Sequence, residues 1–208
     1  MNLNDIKGNY DAIFSLGDLC LAALQLRKNN LRPFAGVLDW VASPSLSTVN
    51  YLLKHRFAGF MNLKNLKAIS YISDLDILVM DEAHNLAFNH DFKTDKNTLS
   101  YLGGFPEVKE KYNRRILRFL EKVSTGKKIL FIRTEGTLPE AIELEAILSK
   151  LVNHDFRVLI VNHSNVNNIT ELNWPLEKVC AIELPNHDKW FGNDHYWKMI
   201  FDGVHISC

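Results

Sequence analysis

Cys20 follows Ser15-Leu16-Gly17-Asp18-Leu19 and opens the apolar run Leu21-Ala22-Ala23-Leu24-Gln25-Leu26. A short apolar segment, residues 11–16, precedes the glycine. The spacing predicts a strand, a sharp turn at Gly17 and a helix capped by Asp18. A thiol in the first turn of that helix faces backbone N–H groups and the positive end of the helix dipole. Both favour a thiolate and can hold an oxyanion, which is the setting of a nucleophile. Cysteine is equally a common core residue, and this helix is apolar nearly all round. A carboxylate at Asp18 would also oppose ionisation of the thiol.

A cysteine nucleophile needs a base, and the base needs a group that orients it. Of the eight histidines, two stand beside an acid in an informative context. His90 lies in Asn89-His90-Asp91-Phe92, and His195 in Asp194-His195-Tyr196-Trp197. Within a strand, Asp91 and His90 would point to opposite faces, so Asp91 could orient His90 only from a turn. Each pair also has a structural reading, as a loop cap or an aromatic packing segment. Arg133 ends the apolar run of residues 128–133. At a strand end it could bind an anionic substrate group or pair internally with Asp39 or Glu135. Asp39-Trp40 closes Gly36-Val37-Leu38 and would form one wall of a cleft. No metal-ligand spacing is present, and no cofactor is expected. Asp81-Glu82-Ala83-His84 lacks an accompanying Gly-Lys-Ser/Thr phosphate loop, which sets an ATPase aside.

Four short runs read as buried strands: residues 11–16, 128–133, 157–162 and 179–184. They are apolar almost without interruption, as strands covered on both faces are. Residues 77–80 and 86–88 are weaker candidates for a hairpin. Helical patterning covers 19–29, 45–54, 108–123 and 139–152. The order predicts an α/β fold: a single three-layer domain over residues 1–208 with a mostly parallel, Rossmann-like sheet. Ligands of such sheets bind beyond the carboxyl ends of the strands, where Gly17, Asp18, Cys20 and Arg133 would gather. The polar stretch 92–106 reads as a mobile loop.

Composition narrows the partners. Lys plus Arg and Asp plus Glu both number 24, so the formal net charge is zero and nothing draws the chain to nucleic acid. The 47% hydrophobic content is that of a globular protein. Three widely spaced cysteines form no disulfide framework. No leader-like or membrane-spanning apolar run is visible, so a cytoplasmic protein is expected. What remains is a small-molecule, peptide or glycan substrate.

Ser15-Leu16-Gly17 with Cys20, Gln25-Leu26-Arg27, Leu31-Arg32-Pro33-Phe34 and Asp39-Trp40 together resemble the opening of a bacterial family labelled papain-like cysteine peptidases. The likeness continues through His90-Asp91-Phe92, Tyr112 with Arg114-Arg115, and residues 129–133, and fades after about Asn162. It implies a cysteine-dependent hydrolase or acyl transferase in which Cys20 is the nucleophile, His90 the base and Asp91 its orienter. Gly17, Asp18, Asp39, Trp40, Arg133 and His195 are the expected substrate-binding residues. A papain-type fold would set the nucleophile helix against an antiparallel sheet, whereas the strand pattern favours a parallel one. The other reading is a non-catalytic Rossmann-like module that binds a nucleotide-sugar or glycan.

Overall fold

The computed structural model describes residues 1–207. Along the chain come β1 (Gly8–Tyr10), β2 (Ala12–Ser15), α1 (Leu21–Lys28), β3 (Val41–Ala42), α2 (Leu46–Lys54), β4 (Leu66–Tyr71), β5 (Asp76–Asp81), β6 (Leu86–Lys93), β7 (Asn97–Thr98) and β8 (Tyr101–Leu102). There follow α3 (Phe105–Thr125), β9 (Lys128–Thr134), α4 (Leu138–Leu151), β10 (Asp155–Ser164), β11 (Thr170–Glu171), β12 (Val179–Pro185), α5 (Asp194–Phe201) and β13 (Val204–Ile206).

The main sheet has the order β11-β12-β10-β9-β2. Strands β12, β10, β9 and β2 pair in parallel, and β11 joins β12 antiparallel. Side chains alternate between two cores. Phe14, Phe131, Val158 and Val179 face one of them, with buried residues of α2, α3 and α4. Ile13, Leu130, Leu159 and Cys180 face the other, with Leu21, Ala22 and Leu26 of α1 and Trp197, Ile200 and Phe201 of α5. Burial on both faces is why these strands read as continuous apolar runs.

The α/β class holds, but the expected mostly parallel Rossmann-like sheet does not. The main sheet is mixed, and a second, wholly antiparallel sheet of order β3-β6-β5-β4 packs beside it. Its strands alternate in burial, as in Asp76–Asp81 where buried and half-buried residues take turns, because the sheet has one wetter face. The stretch 92–106, expected as a mobile loop, contains the end of β6, the β7–β8 hairpin and the start of α3. Asn97 is buried there, donating to the Lys93 carbonyl and accepting from the Gly104 N–H.

Three helices carry clear local signals. Ser45 caps α2 through the Thr48 N–H, Pro106 occupies the first turn of α3, and Thr137 with Glu140 forms a capping box on α4. No helix among the described residues is long and apolar enough to cross a membrane.

Candidate functional site

The turn from β2 into α1 is left-handed at two successive residues, Gly17 (φ 82°) and Asp18 (φ 79°). Glycine is required at the first, because a Cβ there would lie 2.5 Å from Ser43 Oγ. The turn is tied down by its own polar groups. Asp18 N–H donates to Ser43 Oγ (3.0 Å), Ser43 N–H to the Asp18 carbonyl (2.7 Å), and Thr134 Oγ1 to the Gly17 carbonyl (3.1 Å). Asp18 does not cap the helix as expected. Cys20 is the N-cap residue, and no side chain hydrogen-bonds to the first turn of α1. Its opening N–H groups therefore point, uncapped, past the cysteine.

Cys20 is a free, half-buried thiol. Burial pushes its pKa above the usual thiol value, against the opposing effect of its own backbone N–H. Burial likewise lifts the Asp18 carboxyl, which Arg133, Lys189 and His163 partly counter and Glu135 reinforces.

Arg133 lies inside this turn at 0% exposure. Its guanidinium donates to the carbonyls of Leu16 (3.0 Å), Ser43 (2.7 Å) and Glu135 (2.9 Å) and to Ser43 Oγ (3.0 Å). Loss of hydration lowers its pKa to about 10, so it stays charged at neutral pH. These bonds clamp the β2–α1 turn onto Ser43, just past β3, and leave the guanidinium out of solvent.

A second cluster gathers Trp40, His90, Asp91, Lys111 and Arg115 around an open cleft of about 320 Å³. Trp40 is flanked by the guanidinium groups of Arg27 (5.9 Å) and Arg32 (5.4 Å), and His90 meets it edge-on with ring centroids 6.0 Å apart. Asp39 is buried and accepts from Arg32 Nε (2.6 Å) and Gly36 N–H (2.8 Å), which fixes the loop that presents Trp40. The β5–β6 register slips between Ile77 and Val79, so that Asn89, His90 and Asp91 all stand opposite Leu78. Such a bulge re-aims side chains. Asp91 does not hydrogen-bond His90. Its carboxylate accepts from Lys111 Nζ (2.5 Å) and Tyr112 OH (2.8 Å) of α3.

The two clusters are joined through α1. Cys20, Leu24 and Arg27 follow one another at helical spacing on α1, and Arg27 reaches Trp40. His195 stands apart, at the start of α5, with its ring against Tyr196. Its neighbour Asp194 ties α5 to α1 through Gln25 (2.6 Å) and Lys28 (2.7 Å).

One pair escapes the sequence reading. His163 Nδ1–H donates to Glu135 Oε1 over 2.6 Å, with the His163 side chain only 3% exposed. Its Nε2 is buried without a partner. Burial alone would raise the Glu135 carboxyl, but the bond and charge of His163 outweigh it and hold the group below its usual range. Glu135 directly follows β9 and His163 is the penultimate residue of β10, at the carboxyl edge that holds Cys20. The pairing of Val161 with Thr134 brings them together. Inspecting the residues immediately beyond each expected strand would have found them. Among the described residues, no three His, Cys, Asp or Glu side chains converge as a metal site.

A family model described as "Putative papain-like cysteine peptidase" matches residues 11–166. The chain belongs to that family. The matched span holds Cys20, Trp40, His90 and Arg115, which the fold draws from α1, the loop before β3, β6 and α3. An uncharacterised protein of Acanthamoeba polyphaga mimivirus is 28% identical over 187 residues, covering 74% of this chain and 80% of the relative. That relative belongs to a giant virus, so the family resemblance does not confine the chain to bacteria. No solved structure matches.

Proposed function

We propose that the protein is a cysteine-dependent hydrolase or acyl transferase of the peptidase class, with Cys20 as nucleophile and His90 as base. The observation that supports this most is the half-exposed Cys20 at the uncapped start of α1, the helix whose Arg27 reaches Trp40 of the Trp40–His90 cleft. Because burial keeps the thiol protonated, attack on a substrate carbonyl requires transfer of the thiol proton to His90. The carbonyl oxygen becomes an oxyanion beside the opening N–H groups of α1. Collapse expels the leaving amine or alcohol, which takes the proton from His90, and leaves a thioester on Cys20. Water, or an acceptor nucleophile, then cleaves the thioester and restores the thiol.

The remaining residues act through others. Gly17, Asp18 and Arg133 hold the turn that carries Cys20. Asp39 sets the Trp40 wall, and Asp91, tied to α3, steadies the bulge that carries His90. His195 stays exposed at the start of α5, apart from both clusters. The substrate is a peptide, a glycan conjugate or a small acyl compound. The free thiols of Cys20 and Cys180 suit a reducing, cytoplasmic setting.

The test is turnover of a panel of fluorogenic peptides and esters by the native protein and by Cys20→Ala, with mass spectrometry of the acylated intermediate. Loss of turnover and of the thioester adduct in Cys20→Ala is expected. Undiminished turnover in that variant overturns the proposal, as does a Cys20 that iodoacetamide modifies only after unfolding. The raised thiol pKa favours the other reading, a non-catalytic module binding a nucleotide-sugar or glycan. That reading gains if such a ligand binds while Cys20 stays inert.

A further inference from the structure

We infer that the cleft between Trp40 and α3 takes an oxyanion of the substrate, a carboxylate or a phosphate, held by the Arg115 guanidinium that lines it, with Arg27 over its Trp40 wall. The inference rests on the cysteine-hydrolase reading and adds a substrate class to it. Most charges around the cleft are already matched. Asp39 is matched by Arg32, and Asp91 by Lys111. Among the described residues, Arg27 and Arg115 make neither an ion pair nor a side-chain hydrogen bond, and Arg115 Nη1 is buried with no acceptor at all. The chain is formally neutral overall, so this positive excess is local.

The orientation of the two groups says what they can accept. The Arg27 guanidinium rests on the Trp40 ring (5.9 Å) and that of Arg115 on the Tyr112 ring (5.1 Å). A guanidinium carries its N–H groups at its edge, in one plane. Two coplanar N–H groups match the two oxygens of a carboxylate or a phosphate. Buried N–H groups in native proteins nearly always have a partner, so the unpartnered Arg115 Nη1 marks a guanidinium with donor capacity to spare. The neutral amide or hydroxyl of an ordinary substrate offers a single acceptor and no charge. The reading therefore points to substrates that carry an acidic group, such as an acidic peptide residue or a phosphorylated group.

The experiment compares alkylation of Cys20 by iodoacetate and by iodoacetamide, reagents of similar size that differ in charge. The ratio of the two rates is measured at low salt in the native protein and, as reference, in free cysteine. An oxyanion site raises the native ratio about ten-fold over the reference, and 1 M salt removes most of the gain. Arg115→Gln and, separately, Arg27→Gln each bring the ratio down several-fold, and Arg115→Lys restores it only in part. Arg27 is exposed, so Arg27→Gln carries the test if Arg115→Gln does not fold. Protection of Cys20 by N-acetylglutamate but not by inorganic phosphate assigns a carboxylate, and the reverse assigns a phosphate. A native ratio equal to that of free cysteine, or one that neither variant changes, overturns the oxyanion site and leaves the hydrolase reading standing. A thiol inert to both reagents overturns the hydrolase reading, and the substrate assignment falls with it.

Discussion

Replacing Arg133 by methionine keeps the side-chain volume and removes the charge and every donor. The cost follows from four bonds: to the carbonyls of Leu16, Ser43 and Glu135 and to Ser43 Oγ. Hydrogen bonds from a charged donor contribute roughly 1.5–3 kcal/mol each, and a buried acceptor left without its donor costs about 1–3 kcal/mol. Against this, the variant no longer has to bury a guanidinium, which in proteins costs several kcal/mol. The balance is a destabilisation of about 3–5 kcal/mol, as when one member of a buried charged network is removed. For a domain of this size, a urea m value of about 2 kcal/mol/M converts that to a midpoint shift of about 1.5–2.5 M. Urea unfolding followed by tryptophan fluorescence reads it directly. Arg133→Lys should fall between the two proteins, since an ammonium cannot reach four acceptors spread around a planar fork. A loosened turn also exposes the thiol, so native Cys20 should be alkylated faster in Arg133→Met. A midpoint within about 0.5 M of the parent, at unchanged m, refutes the clamp. It would mean that the carbonyls find other donors and that Arg133 is free for a different task.

The other predictions are simpler. Gly17→Ala places a Cβ 2.5 Å from Ser43 Oγ at a left-handed position, and should cost about 2–3 kcal/mol in urea unfolding. The Cys20 alkylation rate should rise with pH through a midpoint above the ordinary thiol value, because burial disfavours the thiolate. A rate already flat below neutrality would reveal a standing thiolate–imidazolium pair instead. The Glu135 carboxyl is depressed in the folded chain, so its contribution is present above the unfolded pKa of about 4.3 and is lost as pH falls through the lower folded value. Glu135→Gln should cost about 1 kcal/mol at neutral pH, and the gap should close on acidification. Unfolding midpoints for the two proteins from pH 7 to pH 3 check this, and a gap that persists in acid assigns the effect to packing.

Much of the parallel half of the fold was legible in the sequence. Residues 128–133 and 157–162 became β9 and β10, and 139–152 became α4, because capping pairs, apolar runs and helical spacing are local signals. Cys20 was legible for the same reason: strand, glycine, turn and helix are contiguous, so the chain itself delivers the thiol to the sheet edge. The antiparallel sheet was faint, since two of its strands, β3 and β4, are short or alternate in burial and gain their meaning only from partners.

What the chain order alone determined is therefore where the thiol stands. What only tertiary packing decided is what surrounds it. Trp40, His90 and Arg115 are tens of residues apart and share a cleft because β3 pairs with β6 and α3 packs across them. Asp91 turned toward α3 rather than toward its neighbour His90, and Arg133 turned inward, because a buried charge takes the nearest satisfying partners in space. Glu135 found His163 through strand register. Local propensity fixes the elements, but contacts across long separations depend on register and packing, which no single stretch of sequence encodes.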